Sequence, residues 1–285
     1  MEARLYAEDP ARGFLPSVGR LDHFALGDEG RIESGVEEGD EVSSFYDPMI
    51  AKLVAHGADR DEAIAVLAGM LDSVEVWPVR TNAGFLFNAL LHPDFAAADI
   101  DTGFIAREID ALVPDPEPDE GVWSAAAAVA TAEEEGESLG TLAGFRLNAP
   151  RRTGAALGRS GSFRHVALGE DTPIPAVSGF RDEDRVVVFY EGQAYAFDRS
   201  ARGSVGVAAG DGAILAPMPG KVTSVEVVAG DRVTKGQRLM TLEAMKMEHG
   251  LLAPFDGRVA ILNATDGAQV PVDALLIKIE QEDEA

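Results

Sequence analysis

The feature that most constrains the fold is an internal duplication in the last third of the chain. Residues 215–243 align without a gap on residues 252–280, which lie 37 positions later. Each copy alternates apolar and polar residues as strands do, and each is interrupted by a glycine turn. One such unit cannot bury its own apolar face, so the copies are predicted to pair, with approximate two-fold symmetry, in a flattened barrel or sandwich. The positions shared by the two copies are Leu215, Ala216, Pro217, Gly220, Val222, Gly230, Val233, Leu239 and Glu243.

The segment that joins the copies carries an unusual lysine. Residues 244–251, AMKMEHGL, are predicted to form a tight hairpin with Lys246 near its tip. A solvated turn lysine beside core-filling methionines is one interpretation, but an exposed turn rarely holds two methionines. Strand alternation would place Met245 and Met247 on one face, opposite the lysine. Methionine suits contact with several partner surfaces, and acylation of the amine would remove its charge. The pattern therefore favours a post-translationally modified lysine whose neighbours are read by partner proteins.

Composition excludes several classes of function. Among 285 residues, 49 acidic side chains against 24 basic ones leave a net charge of −25, which disfavours binding to nucleic acids and to anionic membrane surfaces. No apolar run approaches the roughly 20 residues that span a bilayer, and no signal peptide is visible. The chain has no cysteine, and its 5 histidines lack zinc-binding spacing, so no metal site is predicted. We expect a soluble, cytoplasmic protein.

Changes in composition divide the chain. The run VPDPEPDEG is acidic and rich in proline, and RSARGSVGVAAGDG has the composition of a linker. The predicted parts are residues 1–113, a linker at 114–121, residues 122–200, a flexible linker at 201–213, residues 214–280 and an acidic tail at 281–285.

Local patterns predict the elements of the first two parts. Asp59 is expected to cap a helix within residues 57–74, because an acid follows three positions later and apolar residues recur at helical spacing. Ser124 is expected to cap an alanine-rich helix within residues 123–135. Glu191–Gly192 is the predicted turn of a hairpin. Further helices are predicted at 81–93 and 101–114, and short strands at 142–148 and 162–168.

The duplicated segment resembles a known family. EAMKM, with APMPGKV upstream and APFDGRV downstream, is similar to the biotinyl domain of biotin-dependent carboxylases. The resemblance implies that biotin protein ligase attaches biotin to Lys246, with Ala244, Met245 and Met247 as recognition contacts. Lipoyl domains share the duplicated sandwich but usually have an acidic residue before the lysine and no Met-Lys-Met. Lipoate is therefore the alternative cofactor.

The first part also resembles a known domain. EARLYAEDP, FLPSVGRL, YDPMIAKLV and VRTNAGFL are similar to the C-terminal part of the biotin carboxylase domain in acyl-CoA carboxylase α subunits. This implies that Arg4 lies in the carboxylation site and stabilises the biotin enolate, with Tyr46 and Asp47 close to the biotin ring. Two structural alternatives stay open. Arg4 would pair only with Glu2 or Glu33 in one, and in the other Tyr46 and Asp47 would only begin a turn.

The middle part is similar to the docking domain that joins carboxylase to carrier in these enzymes. GFRLN, residues 144–148, follows the alanine-rich helix as it does in that domain, where a helix is wrapped by β-strands. The resemblance implies docking onto a carboxyltransferase β subunit, and its short length favours the methylcrotonoyl-CoA type over the propionyl-CoA type. A structural spacer is the alternative. The expected fold class is α+β multidomain: a partial α/β carboxylase subdomain, a small helix-plus-β-barrel docking domain and a β-sandwich (barrel-sandwich hybrid) biotinyl domain.

One part of the family pattern is not found in the sequence. The ATP-grasp carboxylases have a glycine-rich phosphate loop, an ATP-binding lysine and magnesium-binding glutamates before the EARLYAEDP stretch, and PMPGK is not a P-loop. We therefore expect a truncated product or split subunit, with ATP and Mg²⁺ bound only in the complete carboxylase. The predicted function is to carry CO₂ on the biotin of Lys246 to the β subunit. A non-catalytic biotinylated scaffold and a lipoyl-type carrier are the alternatives.

Overall fold

A computed structural model gives the structure of most of the chain. No helix within the described ranges is long and apolar enough to cross a membrane. The strand predicted at 142–148, nearly all of the predicted linker at 201–213 and the tail at 281–285 lie outside these ranges. The structure describes residues 1–45, 47–132, 153–159, 162–169, 172–182, 184–199, 212–244 and 247–280.

Short antiparallel strands and four helices make up the first part of the chain. Its strands are β1 Glu2–Tyr6, β2 Glu8–Asp9, β3 Leu15–Pro16, β4 Gly19–Arg20, β5 His23–Ala25, β6 Arg31–Ser34, β7 Glu41–Val42, β8 Met49–Val54 and β9 Glu75–Trp77. Its helices are α1 Arg60–Asp72, α2 Ala83–Leu91, α3 Pro93–Ala96 and α4 Phe104–Leu112. The largest sheet has the order β1-β8-β6, and the pairs β2-β3, β4-β7 and β5-β9 form smaller ribbons.

Helix α1 begins where the sequence predicts. The Asp59 carboxylate accepts a hydrogen bond from the Glu62 backbone N–H at 2.9 Å, which satisfies one of the unpaired donors of the first turn. The predicted apolar face of the helix is buried against the sheets. The buried side chains of this face are Ala63, Ile64, Leu67, Ala68, Met70 and Leu71.

The middle part is a helix packed on a five-stranded antiparallel sheet. Helix α5 covers one face through Val122 and Ala126, which meet Leu157, Val186 and Phe197 in one apolar cluster. The sheet order is β11-β10-β14-β13-β12, and the predicted hairpin turn Glu191–Gly192 joins β13 to β14. The elements are α5 Glu120–Thr131, β10 Thr153–Arg159, β11 Ser162–Leu168, β12 Ser178–Arg181, β13 Arg185–Tyr190 and β14 Gln193–Asp198.

The predicted cap of α5 is wrong. The helix begins at Glu120, and the carboxylate of Asp119 accepts from the Val122 backbone N–H at 2.8 Å. Ser124 lies inside the helix, where its hydroxyl donates to the Glu120 carbonyl at 2.9 Å. An acidic residue is as good a cap as serine, and Asp119 meets the backbone donors one turn earlier.

The duplicated segment forms the predicted sandwich, with two four-stranded sheets in the orders β15-β22-β20-β17 and β19-β18-β16-β21. Exchanging each strand of one copy for its counterpart in the other converts the first order into the second, as two-fold symmetry requires. The strands are β15 Ala213–Leu215, β16 Gly220–Val225, β17 Arg232–Val233, β18 Arg238–Ala244, β19 Met247–Leu252, β20 Gly257–Leu262, β21 Gln269–Val270 and β22 Leu275–Glu280.

Gly220 and Gly257, which are equivalent in the two copies, are required for steric reasons. A Cβ on Gly220 would lie 2.7 Å from the Glu243 carbonyl oxygen, and a Cβ on Gly257 would lie closer still to the Glu280 carbonyl oxygen. No side chain fits either position, so the same close approach of two backbones is built twice. The shared apolar positions fill one core between the sheets. Its equivalent pairs are Ala216 with Ala253, Val222 with Val259 and Leu239 with Leu276.

Leu15 is one point where the sandwich packs on the first part of the chain. This side chain, from β3, is 8% exposed and belongs to the same apolar cluster as Ala216 and Met218. A cavity of about 150 Å³ beside it is lined by Pro217–Pro219 and Val272 on one side, and by residues 15–18, Asp9, Arg12 and Arg80 on the other. This contact, called the seam below, is therefore apolar at Leu15 and charged at its edge.

Replacing Leu15 by Asp is expected to open this seam, because the change places a carboxylate where an apolar side chain is out of water. Hydrogen–deuterium exchange at the Met218 and Val272 amides should accelerate, while the core amides of β18 should stay protected. Leu91→Asp, at a side chain that is 53% exposed, is the matched control. Unchanged exchange at Met218 and Val272 in Leu15→Asp would contradict the seam.

Candidate functional site

The two strands that flank Lys246 pair with each other up to the join between the copies. Strands β18 and β19 pair antiparallel, and the last pair before the join is Ala244 with Met247. The side chain of Ala244 is buried. Met245 and Lys246 lie outside the described residues, as does the side chain of Met247. The described strands therefore bring the chain to Lys246 and away from it in the register that the hairpin prediction requires.

The flanking strands are firmly anchored but end in like charges. Met240, Leu242 and Leu251 lie in the core of the sandwich. Toward the join, Glu243 and Glu248 are exposed cross-strand partners. Like charges directly opposite each other weaken a sheet, so this pair does not serve stability. On its other side, Glu243 lies opposite Lys221 of β16, so this end of the sheet carries two acidic side chains and one basic one.

This end of the sandwich faces the first part of the chain. Lys221 pairs with Glu243, so the loop that precedes β16 lies at the same end as Ala244. That loop and the start of β21 form one wall of a cavity of about 430 Å³, and residues 41–45 form the other. Phe45, which is 77% exposed, lies on this second wall. Tyr46, the next residue, lies outside the described part of the chain. The cavity thus separates the lysine end from the segment that leads to Asp47.

Arg4 lies in the β1-β8-β6 sheet, where it pairs in register with Lys52. Its Nε donates to the Glu2 carboxylate at 3.0 Å, and this hydrogen bond is the main reason that the pKa of Arg4 is raised. The predicted pairing with Glu2 is therefore present. The side chain of Arg4 is still 61% exposed, so its remaining N–H donors are open to a ligand.

Glu33 has other partners than Arg4. Hydrogen bonds from Lys52 and then from Arg31 lower the pKa of Glu33 to about 2. The Arg31 Nε lies 3.0 Å from a Glu33 carboxylate oxygen. Arg31–Glu33 on β6 thus repeats the arginine–glutamate pairing of Arg4 on β1, two residues apart in each case. The first part of the chain holds two arginines in similar local surroundings.

Asp47 begins a turn, as the structural alternative proposes. Its carboxylate accepts from the Met49 backbone N–H at 3.1 Å, and the Pro48 carbonyl accepts from the Ala7 N–H at 2.8 Å. These bonds tie the segment to the end of β1. Burial and then the charge of Asp47 raise the pKa of Glu8. Asp47 and Glu8 therefore form a pair of neighbouring carboxyl groups beside the cavity segment, which the sequence did not indicate.

The structure also gathers three groups that sequence spacing missed. One ligand atom from each of His92, Asp94 and Glu108 lies within 4.8 Å of the others. The His92 Nδ1 accepts from the Asp94 backbone N–H at 3.3 Å, which leaves Nε2 to carry the proton, 3.7 Å from the Glu108 carboxylate. A metal at Nε2 would need the opposite tautomer and would break the cap of α3. We therefore interpret the cluster as a helix cap with a neighbouring carboxylate.

Comparison with known proteins identifies both ends of the chain. Residues 2–107 match the family described as "Biotin carboxylase C-terminal domain", and residues 212–279 match the family described as "Biotin-requiring enzyme". The α subunit of mitochondrial methylcrotonoyl-CoA carboxylase from Dictyostelium discoideum is 32% identical over 92% of this chain and 46% of its own length.

Two further relatives show the same pattern. The mouse mitochondrial methylcrotonoyl-CoA carboxylase α subunit is 31% identical over 99% of this chain and 47% of its own length. The propionyl-CoA carboxylase α chain of Ruegeria pomeroyi is 32% identical over 98% of this chain and 51% of its own length. The chain thus spans about half the length of the curated relatives it matches. The alignment also covers the middle part, which neither family match reaches.

Replacing Asp47 by Asn is expected to lower the pKa of Glu8 toward its ordinary value, because one of the two causes of its elevation is removed while burial remains. Carbon-detected NMR titration of the Glu8 carboxyl group measures this directly. Asp61→Asn, on helix α1, is the control. An unchanged Glu8 pKa in Asp47→Asn would show that the charge of Asp47 does not act on the Glu8 carboxyl group.

The same pair gives a pH dependence of stability. A carboxyl group whose pKa is raised in the folded state binds its proton more tightly there than when unfolded. Its contribution is present below the unfolded pKa and is lost as the pH rises through the folded pKa. In Glu8→Gln this loss of stability should disappear, which denaturant unfolding across the acidic range would show.

Proposed function

Because the chain is homologous to the α subunits of biotin-dependent acyl-CoA carboxylases, with a biotin carboxylase C-terminal domain and a biotin-requiring carrier domain, we propose that it is the carboxyl-carrier and docking portion of such an enzyme. The observation that carries the proposal is the duplicated sandwich. Its two copies are joined at Lys246, between strands paired to Ala244 and Met247.

Lys246 is the proposed site of biotin attachment. The strands that precede and follow this lysine are anchored in the core of the sandwich, so its modification would not disturb that core. Ala244 is buried, so Met245 and Met247 are left as the candidate contacts for biotin protein ligase. When bound, biotin supplies a group that accepts and releases CO₂. The residues of this chain present that group and limit its approach.

The cavity next to the lysine end has a size that fits this role. Its volume of about 430 Å³ lies within the range of small-molecule sites. Pro219 and Val270 provide an apolar wall on the carrier side, and Phe45 provides one on the other side. We propose that Asp47 and Tyr46, which follow Phe45, orient the biotin ring. Arg4 would supply the permanently charged, forked donor that holds an anionic oxygen.

The other parts of the proposal concern what this portion joins. We propose a division into residues 1–113, 122–200 and 214–280, with the middle part docking on a carboxyltransferase β subunit. Its helix α5 and five-stranded sheet form a separate apolar core, as a docking module needs.

ATP and Mg²⁺ are expected in the ATP-grasp portion of the complete carboxylase. The curated relatives include methylcrotonoyl-CoA and propionyl-CoA carboxylases, so the proposed substrate class is an acyl-CoA. Several relatives are named mitochondrial, and a cytoplasmic location remains a prediction.

Incubation of the full chain with biotin, ATP and biotin protein ligase is expected to add one biotinyl group at Lys246. Intact-mass and peptide mass spectrometry measure the modification, and Lys246→Arg is the control that keeps the charge but removes the nucleophile. A Lys246 that remains free, or that accepts lipoate instead, would overturn the carrier assignment.

Arg4→Lys is expected to lower carboxylation of the carrier by about a hundredfold when the chain is combined with a separate ATP-grasp portion, since lysine keeps the charge but lacks the fork. Incorporation of labelled bicarbonate measures the reaction. Arg31→Lys is the matched control, because Arg31 has the same kind of glutamate pair and is 70% exposed. Equal carboxylation rates for the two variants would show that Arg4 has no special role in the reaction beyond its pairing with Glu2.

A further inference from the structure

A second cavity lies between the first and middle parts of the chain and has no role in the proposed carrier function. Its volume is about 350 Å³. One side is formed by the 3₁₀ turn Pro10–Arg12 and by the segment that leads into α2. The other side is formed by residues 192–195 and by Arg159. The hairpin turn of the middle part therefore closes a pocket on the carboxylase-like part.

The charge of this cavity is opposite to that of the chain. Arg12, Arg80 and Arg159 line it, and Asp9 is the one acidic residue among its lining side chains. The chain as a whole carries a net charge of −25. Moreover, the Asp9 carboxylate accepts a hydrogen bond from the Ala11 N–H at 3.1 Å and so is engaged with its own backbone. A cavity with about two excess positive charges in so acidic a protein is suited to an anion.

The guanidinium groups keep unused donors. Arg80 donates from one nitrogen to the Ala194 carbonyl at 3.1 Å. Arg159 donates to two backbone carbonyls, and its buried Nε has no hydrogen-bond acceptor although it forms an ion pair with the Glu117 carboxylate at 3.6 Å. Arg12 makes no hydrogen bond or ion pair with any residue that the structure describes. Each guanidinium has five N–H donors, so several remain free to converge on one ligand.

The pKa of Arg80 reflects its position in this cavity. Burial is the main cause that lowers its pKa, and the nearby charge of Arg159 lowers it further. The charge of Asp9 raises the pKa by more than that of Arg159 lowers it, so the net lowering comes from burial. A buried cation is costly to keep charged, and a bound anion would offset that cost.

The remaining lining is mostly apolar. Val74, Val76 and Val79 come from the first part, and Pro114 and Pro116 come from the segment before α5. The Tyr195 hydroxyl, which accepts from the Gln193 amide at 2.9 Å, adds a polar group at the rim. The cavity therefore combines a cationic end with a wall that suits a carbon skeleton.

We propose that this cavity binds a small organic phosphate, with the phosphate group held by Arg12 and Arg80 and the carbon skeleton packed against the valines and prolines. A phosphate monoester carries nearly two negative charges at neutral pH, which matches the excess charge of the lining. Guanidinium groups bind phosphate oxygens in a bidentate manner, which lysines do not. Because the ligand touches two parts of the chain, its binding also stabilises their packing.

Phenyl phosphate is the probe. Inorganic phosphate tests the contribution of its phosphate group, and phenol tests the contribution of its ring. Isothermal titration on the full chain is expected to show saturable binding of phenyl phosphate, weaker binding of inorganic phosphate and none of phenol. Arg12→Gln should weaken phenyl phosphate binding about tenfold without lowering the unfolding temperature, since Arg12 has no hydrogen bond or ion pair with a described residue that would be lost. Arg80→Gln should weaken it as well.

Arg20→Gln is the matched control, because Arg20 is exposed and pairs with Asp22 outside the cavity. Equal affinities in Arg12→Gln and Arg20→Gln would show non-specific surface binding and would overturn the proposal. So would the absence of saturable binding in the millimolar range, or equal binding of phenol. Binding of inorganic phosphate as tight as that of phenyl phosphate would overturn the organic part of the assignment.

Discussion

The structure depends on the pairing of two β units that cannot bury their apolar faces separately. Val222 and Leu239 from one copy meet Val259 and Leu276 from the other, and the resulting core holds both sheets in register. This core fixes the strands that lead to and from Lys246. The proposed carrier lysine is thereby attached to a packed domain, whose core does not depend on the modification.

The contacts among the three parts differ in chemistry. The sandwich meets the first part at Leu15, whose side chain joins the core of the sandwich. The middle part meets the first part through His23, which stacks on Phe189, and through the Glu191 N–H, which donates to the Asp72 carboxylate at 2.7 Å. A carrier that leaves one site for another needs a contact that can open, whereas a docking module needs one that fixes its orientation. The arrangement is consistent with both proposed roles.

Sequence reasoning predicted the features that local patterns specify. The duplication predicted the sandwich because identical spacing imposes identical strands, and Asp59 and the Glu191–Gly192 turn were predicted by their local chemistry. The cap of α5 was missed because Asp119 lies in a proline-rich run that has the composition of a linker. Groups brought together by tertiary packing could not be predicted. Asp47 meets Glu8, and Arg80 meets Arg159, only after separate elements fold against each other. The roles of Arg4, Tyr46, Asp47 and Lys246 remain predictions.

The pairing of β15 with β22 has a mechanical consequence. Ala213 lies beside Lys278, so the sandwich is attached to the rest of the chain where β22 ends. The Ala216 N–H donates to the Ala274 carbonyl at 2.8 Å, so β22 begins near the end that carries Lys246. The six residues of β22 span roughly 20 Å between these two ends. A rotation of the domain about this attachment would therefore move the opposite end through an arc set by the length of the sandwich.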